Sequence, residues 1–246
     1  MSSEPLIIVF LAIALGSFAK GLTGIGLPLI AIPVLAAFLG VGHAVVVLTI
    51  PVFISNVWIV WSYRKLAVSI PDLKLSLGAA MVGTLLGTYV LASLDDRTLT
   101  ILVVVWIAAY LTNLWLNPEF RLEGNTARLA APAIALGAGV SQGATGMAGP
   151  VIATWIHSYR LQNEAYVFGV SVMFLAISLT HVIGVAGAGL MDRTRLIQGL
   201  MAVIPTVLFV PLGMRMTRLI SQKLFNRLII CLVIAMEAKL IWQLAG

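Results

Sequence analysis

This chain is poor in charge, cysteine, histidine and polar stretches, and each shortage excludes something. Lysine, arginine, aspartate and glutamate make up 10% of its 246 residues, against 61% hydrophobic. A soluble domain carries roughly 25% charge, so a water-soluble enzyme or binding module is excluded. The mean hydropathy of +1.07 places the chain in a membrane. A single cysteine, Cys231, rules out an intramolecular disulfide, and in an apolar run it is expected to pack as a small hydrophobe. His43, His157 and His181 lie on separate segments without ligand spacing, so no metal and no cofactor is expected. No Ser-His pair or twin carboxylates stand out, which disfavours an intramembrane enzyme. The opening MSSEP has no lysine or arginine, unlike a secretory signal, so the first apolar run is expected to be kept as structure.

What the chain has is apolar length. Eight segments run over about 5–37, 43–62, 71–92, 97–117, 127–156, 164–188, 195–215 and 221–245. They are continuous and lack the alternation of a lipid-facing strand, which predicts an all-α polytopic membrane protein rather than a barrel. The net charge of +6 does not imply nucleic acid, because the basic residues fall between apolar runs, where they set topology. The lipid bilayer is the partner that the composition demands. Most segments hold the roughly 20 residues needed to cross a hydrocarbon core. The first and fifth are longer, and each contains an interruption.

The interruptions match. Placed over one another, KGLTGIGLPLIA (20–31) and QGATGMAGPVIA (142–153) align at an offset of 122, pairing Gly21 with Gly143, Thr23 with Thr145, Gly24 with Gly146 and Pro28 with Pro150. This predicts two four-segment repeats: residues 1–117, a linker at 118–126, and residues 127–246.

Charge placement predicts how the repeats are oriented. If all eight segments cross, basic residues divide seven against six. If segments one and five enter and turn back, Arg64, Lys65, Lys74, Arg121, Arg128, Arg160, Arg215, Arg218, Lys223 and Arg227 share one side. Only Arg97, Arg193 and Arg195, with Lys239 if it reaches the final interface, then lie on the other. The second arrangement fits the enrichment of basic residues in cytoplasmic loops, inverts the repeats and puts both termini outside. A straight helix of about 33 residues would also reach roughly 50 Å, well past a core of roughly 30 Å. A tilted, kinked crossing helix is the alternative.

Each motif reads as helix, break, helix. Glycine permits positive φ, and Pro28 and Pro150 suit the first turn of a new helix. A helix restarting inside the membrane presents free N–H groups and a positive dipole end, which favour an anion. Lys20, Gly21, Thr23, Gly24 and Gly26 of the first motif, with Ser141, Gln142, Gly143, Thr145 and Gly146 of the second, are therefore the candidate substrate-binding residues. Small residues on a packing face are the alternative for the glycines, and snorkelling to an interface is the alternative for Lys20. His181 is the candidate proton carrier, against a plain core histidine. Asn56 and Asn113 are expected to bond between helices. Trp58, Trp61 and Tyr63, just before Arg64, read as an interfacial anchor, and Trp106, Trp115, Trp155 and Trp242 as anchors or lipid-facing fillers. Arg160 is a candidate guide for an approaching anion.

AKGLTGIGLPLIAIPVL (19–35) and SQGATGMAGPVIATWI (141–156), within a two-fold repeat of about 250 residues, resemble the sulfite exporter TauE/SafE family of bacterial membrane proteins. GVGHAVVVLTIPVFISN (40–56) and LGAAMVGTLLGTYVLASLDDRTLTILV (77–103) resemble its second to fourth segments. The resemblance implies export, across the bacterial inner membrane, of small anions bearing sulfur or carboxylate groups, such as sulfite, sulfoacetate or other organosulfonates. It also implies proton coupling. The family often has a second glycine pair after the break, where this chain has Gly26-Leu27 and Ala148-Gly149. A passive anion channel would use the same residues, and a homodimer is left open.

Overall fold

The computed structural model describes residues 3–66, 73–116, 124–157, 159, 161, 163–216 and 222–245. Among them are ten α-helices and no strands. The first apolar segment is divided into α1 (Ser3–Thr23) and α2 (Gly26–Leu39). It is followed by α3 (Val41–Tyr63), α4 (Leu73–Ser93) and α5 (Asp96–Leu116). The fifth is divided likewise into α6 (Gly124–Thr145) and α7 (Gly149–His157), followed by α8 (Asn163–Gly187), α9 (Arg193–Met216) and α10 (Gln222–Ala245). Of the expected linker, 118–123 lies outside the described residues, and 124–126 already belongs to α6. Four of the helices, α3, α4, α8 and α9, are apolar and long enough to cross a membrane.

The first broken segment is a hairpin. A Cβ on Gly16 would stand 2.9 Å from the Leu27 carbonyl oxygen, and one on Gly26 would stand 2.8 Å from the Lys20 nitrogen. Residues 16 and 27 would be roughly 16 Å apart along an unbroken helix, so α2 turns back against α1.

Contacts at one end of the molecule fix the directions of the helices. The Gly42 N–H at the start of α3 donates to Asp96 Oδ1 over 2.8 Å, and His43 Nε2 lies 2.5 Å from Gln198 Oε1 near the start of α9. The starts of α3, α5 and α9 and the finish of α4 therefore share that end, so α4 and α9 run in opposite senses. Helix α1 packs along α9 in the same sense, with Ser17 Oγ donating to Thr206 Oγ1 over 3.2 Å and Gly21 against Gly213. Helix α6 packs along α4 in the same sense, with Gly139 against Ala80 and Thr84, and Gly143 against Thr84 and Thr88. It follows that α1 and α6 run in opposite senses.

Glycine makes both crossings possible. A Cβ on Gly143 would stand 2.6 Å from the Thr88 nitrogen, and one on Gly21 would stand 2.9 Å from the Met214 nitrogen. Backbones this close pack by dispersion and short contacts, the force available between helices in lipid.

The outer faces are apolar, with Leu75, Leu85 and Tyr89 on α4 and Met201, Ile204 and Leu208 on α9 exposed. Several expectations about single residues change here. Cys231 is exposed rather than packed, because the inward stripe of α10 is Ile229, Val233 and Leu240. Trp155 is fully buried rather than an anchor, because α7 lies inside the bundle. Asn113 is exposed, off the buried stripe of Leu99, Val103 and Ile107 on α5. Asn56 does bond between helices, from Nδ2 to Ser178 Oγ over 3.4 Å. Trp58 and Trp61 are exposed, and the Arg64 guanidinium lies 4.0 Å above the Trp61 ring, as suits an interfacial anchor.

Candidate functional site

Both breaks are built by the same local chemistry. Gly24 has φ +84° and Gly146 has φ +73°, the left-handed region where a Cβ is disfavoured. Each donates its N–H back one turn, Gly24 to Lys20 O over 2.7 Å and Gly146 to Gln142 O over 2.8 Å. Thr23 Oγ1 donates to Ala19 O over 2.9 Å and Thr145 Oγ1 to Ser141 O over 2.8 Å. Ser141 Oγ donates to the Met147 carbonyl. The three hydroxyl protons read from the sequence as anion donors are thus committed to backbone in this conformation. At the start of α2, no side chain caps the N–H groups.

The glycines divide by role. Gly24 and Gly146 make the turns. Gly21 and Gly143 sit at the helix crossings, and Gly26 packs on Ala19 within the first hairpin.

Lys20 is fully buried. Its Nζ donates to Gly24 O over 2.9 Å and lies 4.8 Å from the centre of the Phe174 ring. No carboxylate among the described residues pairs with it. A buried amine held by one carbonyl and a ring face has no counter-ion among the described residues, and a charge there would call for one.

The two breaks meet. A Cβ on Gly149 would stand 3.2 Å from Ile25 Cβ, and one on Gly146 would stand 2.7 Å from Ile32 Cδ1. Each break also leans on a long helix of the opposite half, Gly24 on Val167 and Val170 of α8, Gly146 on Val45 of α3. Beside the second break is a cavity of about 10 Å³, bounded by Pro28, Thr49, Gln142, Gly146, Ser178 and His181 among others. That is room for about one water. Gln142 and His181 are buried, and Gln142 Oε1 and His181 Nε2 have no partner. The His181 ring lies against the Gly143 backbone.

The structure therefore brings Gln142, Gly146 and His181 together at one cavity and places Lys20 and Gly24 at the other break. Thr49 and Ser178 at the cavity were missed by sequence reasoning, though Ser178 carries a signal: it lies 122 residues after Asn56, the motif offset. Arg160 lies outside the described residues. Among the described residues, no group of three or more His, Cys, Asp or Glu is placed to hold a metal.

Helices broken inside an apolar bundle, with their broken ends apposed beside a buried charge, define a helical membrane protein of the discontinuous-helix class. The family described as Sulfite exporter TauE/SafE matches residues 8–240, and the chain belongs to that family of membrane anion exporters. No curated protein and no solved structure matches it.

Proposed function

We propose that this protein is a secondary transporter that moves a small sulfur-containing or carboxylate anion, such as sulfite, sulfoacetate or another organosulfonate, out of the cell. It works by alternating access in the bacterial inner membrane. The two four-segment repeats are inverted, α1–α2 and α6–α7 are re-entrant hairpins entering from opposite faces, and both termini are periplasmic. The opposite senses of α1 and α6 support this reading, as does the ten-against-three bias of basic residues.

The observation that carries the reading is Lys20: a buried lysine side chain at a helix break with no carboxylate partner among the described residues. An anion arriving at the apposed breaks meets that charge and the uncapped N–H groups of α2. A cavity this small favours a carrier that must rearrange around its solute over a passive open channel. His181 is the proton carrier. Its unpartnered nitrogen faces the cavity, and protonation turns an acceptor into a donor for the anion.

Flux in vesicles tests this. With purified protein in vesicles loaded with sulfite or sulfoacetate, an outward proton gradient (acid lumen) should accelerate anion exit, and the dye-reported lumen pH should rise in step. Anion movement that never exceeds the passive gradient and carries no protons would make the protein a channel.

A further inference from the structure

The two breaks share a design but not an interior. At the offset of 122, Lys20 corresponds to Gln142, and on the helices that the breaks face, Phe174 corresponds to Val52. At the first break the long lysine folds over the phenylalanine and bonds to its own turn, so the protein's own side chains fill that space. At the second, glutamine is shorter than lysine and valine smaller than phenylalanine. The volume left is where the cavity lies, with Val52, Gln142 and His181 in its wall. Two of its buried polar atoms, Gln142 Oε1 and His181 Nε2, have no partner. A buried polar atom without a partner is the mark of a missing ligand or water.

We propose that the oxyanion head group is held in the Gln142 half alone, one oxygen seated between the Gln142 amide and the His181 ring. The Lys20 half is its self-filled counterpart, contributing charge without touching the solute. The inference rests on the transport reading and deepens it. Turned about its last bond, the Gln142 amide presents N–H to an oxygen; the protonated His181 ring does the same. Thr49 on α3, Gln142 and Gly146 at the second break, Pro28 and Ile32 on α2 and Ser178 on its own helix line the cavity with His181, the Gly143 backbone lies against its ring, and none of these is charged.

A pair of swaps tests it. Val52→Phe installs at the cavity the residue found opposite, and Phe174→Val opens the filled half. In vesicles, Val52→Phe should lower sulfite and sulfoacetate flux at least tenfold, and Phe174→Val, which removes the ring beneath Lys20, should lower it by a smaller factor. Wild-type flux in Val52→Phe, or equal losses in both, overturns the inference. Where Val52→Phe does not accumulate, Gln142→Leu and Ser171→Ala replace the pair, Ser171 being the buried α8 residue that corresponds to Thr49 at the offset of 122. Loss of at least tenfold in sulfite affinity for the first alone supports the inference, and equal affinities overturn it. A wild-type protein that moves neither anion overturns the transport reading and this inference with it, whereas flux surviving in Val52→Phe overturns this inference only.

Discussion

At the scale of single residues, charge and backbone conformation act in different places. Lys20→Met keeps the apolar stem and removes the ammonium. Affinity for sulfite should fall about tenfold or more, ~1.4 kcal/mol or above. The melting temperature should hold or rise, since an unpaired buried charge is removed. Calorimetry together with a melting curve separates the two, and unchanged affinity would take Lys20 out of the transport cycle. Gly24→Ala and Gly146→Ala test the turns. With φ at +84° and +73°, each should cost about 1–2 kcal/mol of stability, read as a lower melting temperature. Both turn glycines were legible in the sequence because left-handed backbone in an apolar run leaves few other choices. The partners of Thr23, Ser141 and Thr145 were not legible, because a hydroxyl spent on its own helix and one aimed at a solute look alike in a sequence.

At the scale of helices, the small residues separate into crossings and open faces. Gly143 meets the backbone of α4, which cannot give way, whereas a Cβ on Gly137 would meet nothing within 4 Å. Gly143→Ala should therefore destabilise by about 1–3 kcal/mol, while Gly137→Ala should be neutral or stabilising by up to about 1 kcal/mol. Thermal melting in detergent should show the opposite signs. Two loop caps provide a pH test. Bonds from the Thr98 hydroxyl and amide hold the Asp95 carboxyl below its usual range, and the Arg195 amide, then its charge, does the same for Asp192. A lowered folded-state pKa means the caps stabilise above the usual carboxylate pKa and lose that contribution as pH falls through the lowered value. Asp95→Ala and Asp192→Ala should melt below wild type near neutrality, and the gap should close as pH falls through the lowered carboxyl pKa. A gap that persists there would point to helix propensity instead. The helices themselves were readable from apolar length, but the outward turn of Cys231 and Asn113 was not. Which stripe of an all-apolar helix faces inward depends on its neighbours, not on its own pattern.

At the scale of the whole molecule, the proposed inverted arrangement makes a labelling prediction. In a Cys231→Ser background, Ser62→Cys at the end of α3 and Thr194→Cys at the start of α9 should react with an impermeant thiol reagent from opposite faces. Reaction from the same face would favour eight full crossings. The pair of breaks was visible in the sequence because glycine and proline recur at the same spacing. What could not be read was that each break leans on the long helix of the other half, since no spacing within one segment encodes its partner.

The hydrogen bond between Asn56 and Ser178 joins residues 122 apart, the distance that superimposes the motifs, so under the inverted reading each touches its own counterpart. In the proposed alternating-access cycle such a contact marks the pivot about which two halves trade shapes. It stays still while everything around it swings, and replacing either side chain there should stiffen or loosen the rocking itself without altering which solute is chosen.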